Sequence, residues 1–165
     1  GFGDIITPAR EKLEYPTYLN MPTPQIWVYP TYTVIAEKFE TMMSLGIINS
    51  RLKDFYDIWL MMRLFDFDGV VLQQAIQNTF DRRNSQLPSE APSIFTPAFY
   101  SEASRVVQWN NFIKRDVVNQ VSDEIAFHEV VIAIQSFIMP IVQATQQNQS
   151  FGANWSHKGQ AWIMK

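Results

Sequence analysis

Thr33-Val34-Ile35-Ala36-Glu37-Lys38-Phe39-Glu40-Thr41-Met42-Met43-Ser44-Leu45-Gly46 is the stretch on which the fold turns. At about 100° per residue, Val34, Ile35, Phe39, Met42, Met43 and Leu45 define one apolar face. That period predicts a helix over about residues 33–45, with Gly46 as its stop. Glu37 and Glu40 fall on the opposite side and read as a solvated face. Lys38 does not, because it projects about 50° from the middle of the apolar stripe. Lysine is almost never buried without a partner. Two readings follow: a lysine that snorkels its stem over apolar surface, or a cation aimed into a cleft to meet an anion.

Working outward toward the C-terminus, Asn49 or Ser50 caps a second helix over about residues 52–65. Phe55, Ile58, Trp59 and Met62 recur there at i, i+3, i+4 and i+7, a core stripe. Asp54 lies at the border of that stripe, about 90° from its centre. It is also in the first turn, where the helix dipole favours a carboxylate. Asp57 lies farther round, toward solvent, within i, i+4 reach of Lys53. Arg51 and Lys53 add positive charge at the same helix start. Lys38, Arg51, Lys53, Asp54 and Asp57 therefore converge on one helix–helix junction, a mixed-charge site at the edge of a core. Spacing alone names no reaction.

The helical pattern continues. A third helix is expected over about residues 70–83, a Ser- and Pro-rich loop over 84–97, and a fourth helix over about 98–114. A fifth starts near Ser122 and Asp123 and runs to about Met139, where Pro140 ends or kinks it. It is apolar almost all round (Ile125, Phe127, Val130, Val131, Ile132, Ile134, Phe137, Ile138), which marks a central helix. His128 within it reads as a partly buried core histidine. The Gln- and Asn-rich remainder reads as a loose tail that Trp155 and Trp162 can pin, and His157 there reads as solvated. On the other side, residues 1–30 hold five of the nine prolines and cannot form a long helix. Residues 2–6 and 26–29 read as short strands at the edge of a sheet whose other strands lie upstream. The expected fold is mainly α: a bundle of about five helices with short N-terminal strands.

Composition bounds the chemistry. Apolar residues make up 47% and aromatic residues 14%, enough for a core and against wholesale disorder. The absence of cysteine excludes disulfides, thiolate catalysis and Cys-based zinc sites. Two histidines leave no room for a His-rich metal cage. A net charge of -3 argues against broad, charge-driven coating of nucleic acid but permits a local basic pocket. No run of 18 apolar residues and no basic-then-apolar leader appear, so a cytoplasmic protein with no membrane span is expected. The opening Gly1-Phe2-Gly3-Asp4 lacks an initiating Met and reads as a fragment of a longer protein.

Two blocks narrow the function. Tyr29-Pro30-Thr31-Tyr32-Thr33-Val34-Ile35-Ala36-Glu37-Lys38, followed by Asn49-Ser50-Arg51-Leu52-Lys53-Asp54-Phe55-Tyr56-Asp57-Ile58, resembles the AbiEii/AbiGii toxin family. These are nucleotidyltransferases of the DNA polymerase β superfamily. Their pattern is a Tyr-Pro entry, an Ala-Glu-Lys helix, then Arg-x-Lys/Arg-Asp-x-Tyr-Asp. The similarity is strongest over residues 1–66 and continues through Gln108-Trp109 and the fifth helix. The resemblance implies that Lys38 contacts nucleotide phosphates, in the company of Arg51 and Lys53. It implies that Asp54 completes the active site with Asp57 as a helper. Residues 1–66 would then close a nucleotidyltransferase catalytic domain, and residues 67–165 would form a helical domain with a loose tail. The family's Gly-Ser motif and Asp-x-Asp pair are missing upstream, so the metal ligands are unknown. Gly1-Phe2-Gly3-Asp4 looks like the strand that carries a further acid, which puts Asp4 near the site.

The same resemblance implies a nucleoside triphosphate substrate, an RNA acceptor such as tRNA, released pyrophosphate, Mg²⁺ in the full-length protein and an antitoxin partner. Without the Asp-x-Asp pair, this chain is not expected to turn over alone. A competing reading is a non-enzymatic helical module that binds an antitoxin or RNA through Phe65, Phe67, Phe80, Phe95, Phe99, Tyr100, Trp109 and Phe112. The simpler use of those aromatics is to fill the core. A third reading is an inert remnant of a split gene.

Overall fold

The stop at Gly46 ends α1 (Thr31–Leu45): Gly46 has φ +53° and donates its N–H to the Met42 carbonyl. The helix begins earlier than its apolar period predicts, because the Pro30 carbonyl already accepts the Val34 N–H. In the computed structural model, residues 7, 11–14, 25–28, 30–116 and 125–165 are described. A 3₁₀ turn (Gly46–Ile48) leads into α2 (Leu52–Leu64). A two-residue strand β3 (Phe67–Asp68) precedes α3 (Gly69–Arg82). The Asp68 carboxylate caps α3 by accepting the N–H groups of Val70 and Val71. Upstream, β1 (Glu11–Glu14) and β2 (Gln25–Val28) pair antiparallel, Glu11 opposite Val28. The second expected strand is thus β2, whereas the one expected over residues 2–6, with Asp4, lies outside the described residues.

Several expectations change beyond residue 84. The fourth helix is two: α4 (Pro97–Tyr100) opens with Pro97 in its first turn, and α5 (Ala103–Asp116) restarts after Ser101 and Glu102. The last helix, α6 (Phe127–Gln146), does not end at Pro140 but runs through it. A proline inside a helix costs about 3 kcal/mol. Ile141 and Val142 lie beyond it and are fully buried, each worth about 1.5–3 kcal/mol, which outweighs the loss. Nor is α6 apolar all round in use. Its buried residues Phe127, Val130, Val131, Ile134, Phe137, Ile138, Ile141 and Val142 share one side, while Ile132 is 49% exposed and His128 faces solvent. His128 is therefore no core histidine. By length and composition α6 is the one helix among the described residues apolar enough to cross a membrane, with mean hydropathy 1.4.

The tail is not loose. Strands β4 (Ala153–Ser156) and β5 (Ala161–Met164) form a hairpin, and β4 also pairs with β3 in the order β3-β4-β5. Two tryptophans hold it, because a buried indole supplies both area and one N–H donor. Trp155 is buried and donates to the Met62 carbonyl at 2.7 Å. Trp162 donates to the Phe137 carbonyl at 2.9 Å and stacks on the Phe137 ring at 5.4 Å. The hairpin sits so close to α3 that a Cβ on Gly69 would lie 2.6 Å from the Ala153 carbonyl oxygen.

One apolar core joins α1, α2, α3 and α6 and continues unbroken across position 66. Of the aromatics considered as a docking surface, Phe67, Phe80, Phe95, Phe99 and Trp109 are buried in it. Tyr100 and Phe112 pack against it, and Phe65 is exposed. Five of the eight therefore fill the core rather than a surface, as the simpler reading expects.

Candidate functional site

The burial of Ile35 and Phe39 on α1 and of Phe55 and Ile58 on α2 fixes the two helices side by side. Lys38 and Asp54 then face each other at the rim of that contact. Just before α2, the Asn49 Oδ1 accepts the Arg51 N–H at 2.8 Å, a turn that sets the helix start. Lys38 Nζ donates to Asp54 Oδ1 at 2.6 Å and lies 2.8 Å from Asp57 Oδ2. Arg51 Nε donates to Asp54 Oδ2 at 2.6 Å. Lys53 Nζ donates to both Asp57 oxygens, at 2.7 and 2.8 Å. The five side chains singled out in the sequence thus form a row of alternating charge: Arg51, Asp54, Lys38, Asp57, Lys53.

The row is sheltered in the middle and open at its ends. Asp54 is 5% exposed and Lys38 and Asp57 are 20% exposed, against 59% for Arg51 and 72% for Lys53. Asp57 is less solvated than its helical angle predicts, because Lys38 crosses to it. Three cations and two carboxylates leave one net positive charge. Burial pulls the Lys38 pKa down, but the hydrogen bonds and charges of Asp54 and Asp57 outweigh it and hold the pKa above 10.5. Burial pushes the Asp57 pKa up, and Lys38 and Lys53 outweigh that, holding it below 3.8. Lys38 therefore stays cationic at neutral pH. An ammonium has three N–H groups. Its two carboxylate partners leave one N–H with no partner among the described residues, available to an incoming acceptor.

Magnesium does not fit these residues. The oxygens of Asp54 and Asp57 already face ammonium and guanidinium groups, and an Mg²⁺ ion needs free oxygen ligands. Among the described residues no group of three or more His, Cys, Asp or Glu side chains converges as a metal site.

The opposite side of α1 corrects the sequence reading. Glu40 is not solvated; it is 3% exposed and accepts from Ser44 at 2.7 Å, Ser85 at 2.6 Å and the Arg83 guanidinium. Burial pushes its pKa up, and those donors more than reverse it, holding it below 4.5. Glu37 pairs with Arg82 at 3.2 Å. The arginines at the end of α3 lie against this side of α1, a long-range contact that helical periodicity does not carry. His157 pairs with Asp66, its Nδ1 2.7 Å from Oδ1, rather than standing alone in solvent.

Arg105, in the first turn of α5, carries no local sequence signal that sets it apart. In the fold it is 11% exposed and its guanidinium lies 3.8 Å over the Phe99 ring. It donates to the carbonyls of Phe99 at 3.1 Å, Ile47 at 3.0 Å and Asn49. Nothing local signals those partners. A separate cleft of about 300 Å³, lined by Gln73, Gln77, Thr145, Asn148, Gln149 and Ser150, shares no residue with the Lys38 junction.

The family model described as Nucleotidyl transferase AbiEii toxin, Type IV TA system, matches residues 1–131. No curated protein and no solved structure matches the chain.

Proposed function

We propose a function from the premise that this chain belongs to the AbiEii nucleotidyl transferase toxin family, whose model spans most of its length. It contributes the triphosphate grip of an enzyme that moves a nucleotide from a nucleoside triphosphate to an acceptor. The acceptor is an RNA end such as tRNA. In that transfer the acceptor hydroxyl gives its proton to water as its oxygen bonds to the α-phosphorus, and the bond to the departing pyrophosphate breaks. Negative charge gathers on the leaving phosphate oxygens, where a fixed cation lowers the barrier.

Lys38 is that cation. Asp54 and Asp57 hold its ammonium in place and keep it charged, and its remaining N–H meets a phosphate oxygen. Arg51 and Lys53, open to solvent, draw the polyanion toward the rim. Mg²⁺ would neutralise phosphate charge in the full-length protein, on carboxylates that the family pattern puts upstream of these residues. A nucleoside triphosphate substrate sets the reaction in the cytoplasm, and the toxin–antitoxin setting calls for an antitoxin.

The observation that carries this reading is the sheltered Lys38 ammonium, 2.6 Å from Asp54 with one N–H to spare. In the full-length protein, Lys38→Ala is expected to abolish incorporation of labelled nucleotide while circular dichroism shows an unchanged fold. Wild-type turnover in a folded variant refutes the assignment. The rival reading, a non-enzymatic module for an antitoxin or RNA, draws less support, since five of its eight aromatics lie in the core.

A further inference from the structure

The start of α2 sets where Arg51 and Asp54 stand, and through them where Lys38 stands. The segment that leads into it, residues 46–51, has little apolar anchorage: Ile47 is 55% and Ile48 is 79% exposed. Among the described residues, the hydrogen bonds that reach its backbone from a distant element come from Arg105, which holds the carbonyls of Ile47 and Asn49. The same guanidinium holds the Phe99 carbonyl at the end of α4 and stacks on the Phe99 ring. Glu102, 3.5 Å away, balances part of its charge.

We propose that Arg105 is a positioning residue for nucleotide binding, acting through residues 46–51 on the Arg51–Asp54–Lys38 contact. The proposal rests on Lys38 being the phosphate grip. Arginine suits the task because its N–H groups form a rigid planar fork that reaches several carbonyls at once. Asn49 makes the link stiff. It is fully buried, its Oδ1 is committed to the Arg51 N–H, and its Nδ2 has no partner. Without Arg105 the buried Asn49 carbonyl loses its donor, and an unpaired buried carbonyl is expensive. The relief open to it is to turn toward water, which strains the Asn49 Oδ1 bond to the Arg51 N–H and shifts Arg51 two residues on. Arg51 then leaves Asp54 Oδ2, and Asp54 is free to swing with Lys38. A grip displaced by about 1 Å no longer meets a phosphate that the rest of the enzyme holds in place.

The test uses Arg105→Lys and Arg105→Ala in the full-length enzyme. Lysine keeps the charge and an aliphatic stem but lacks the planar fork that spans the three carbonyls. Arg105→Lys is expected to lower kcat/KM for the nucleoside triphosphate about tenfold. In this chain, the titration of Lys38, followed by the NMR signal of its Cε, should move further up from its already raised position in the same variant, because Asp54 freed of Arg51 answers Lys38 alone. Gln73→Ala is the control: it breaks bonds to Thr145 and Gln149 far along the sequence and should leave both readouts unmoved. A merely structural Arg105 would lower Tm in Arg105→Lys and Arg105→Ala with kcat/KM and the Lys38 titration unchanged, which overturns the proposal. If Lys38→Ala still abolishes transfer in that case, only the role of Arg105 falls. If Lys38→Ala retains transfer, the grip itself falls.

Discussion

Replacing Lys38 by Met and Asp54 by Asn, singly and together, measures the contact on which the site rests. Deleting one partner of a buried ion pair costs about 3–5 kcal/mol when the other is left bare. Neither is left bare here. Without Lys38, Asp54 keeps Arg51 and Asp57 keeps Lys53; without the Asp54 charge, Lys38 keeps Asp57. Each single change is therefore expected to cost about 2 kcal/mol, near the worth of one charge-assisted hydrogen bond. The double variant should cost about 2.5 kcal/mol rather than the sum, a coupling of about 1.5 kcal/mol. For 165 residues, with about 2–4 °C per kcal/mol, each single variant should lower Tm by about 4–8 °C. Urea unfolding followed by tryptophan fluorescence reads these values, since Trp109 and Trp155 are buried in the native state. Losses that add to within about 0.5 kcal/mol would mean that Lys38 and Asp54 do not interact, and the grip would have no foundation.

Further outcomes follow from the same structure. Gly69→Ala drives a Cβ to 2.6 Å from the Ala153 carbonyl oxygen and the Phe151 ring, so calorimetry should show a loss of about 1–3 kcal/mol. Trp155→Ala empties a buried site and leaves the Met62 carbonyl only its longer bond from Gln160; about 3–5 kcal/mol should disappear from the urea-derived stability, and a change below about 1 kcal/mol would contradict the packing. The pH dependence has a defined sign. The raised Lys38 pKa gives stability that is complete below 10.5 and fades as pH climbs through the folded value. The lowered pKa values of Asp57 and Glu40 give stability that is complete above 3.8 and 4.5 and fades as pH drops through their folded values. The wild-type advantage over Lys38→Met should thus stay level from about pH 5 to 10 and shrink at higher pH, as urea midpoints across a pH series will report.

What the sequence makes legible is what depends on neighbours a few positions apart. The Gly46 stop, the Leu52 start and the apolar stripes of α1 and α2 are local, and they put Lys38 and Asp54 at one junction. The Lys53–Asp57 pair is equally local. Glu40 escaped because its partners, Arg83 and Ser85, are more than forty positions away. Pro140 misled because burial of Ile141 and Val142 outweighs a helix-breaking residue. The hairpin at the end of the chain escaped because its strands are short and its anchors, Met62 and Phe137, belong to helices. Arg105 was invisible for the same reason: its three carbonyl partners carry no side-chain signature.

Trp155 reaches back 93 positions to Met62, and β4 completes a ladder begun by Phe67 and Asp68. A ribosome delivers α1, α2 and α3 first. At about 5–20 residues per second, the indole that closes over Met62 emerges roughly 5–20 s later. Throughout that interval the nascent helices present an unfinished apolar seam, which makes them clients for a chaperone until the closing strand arrives.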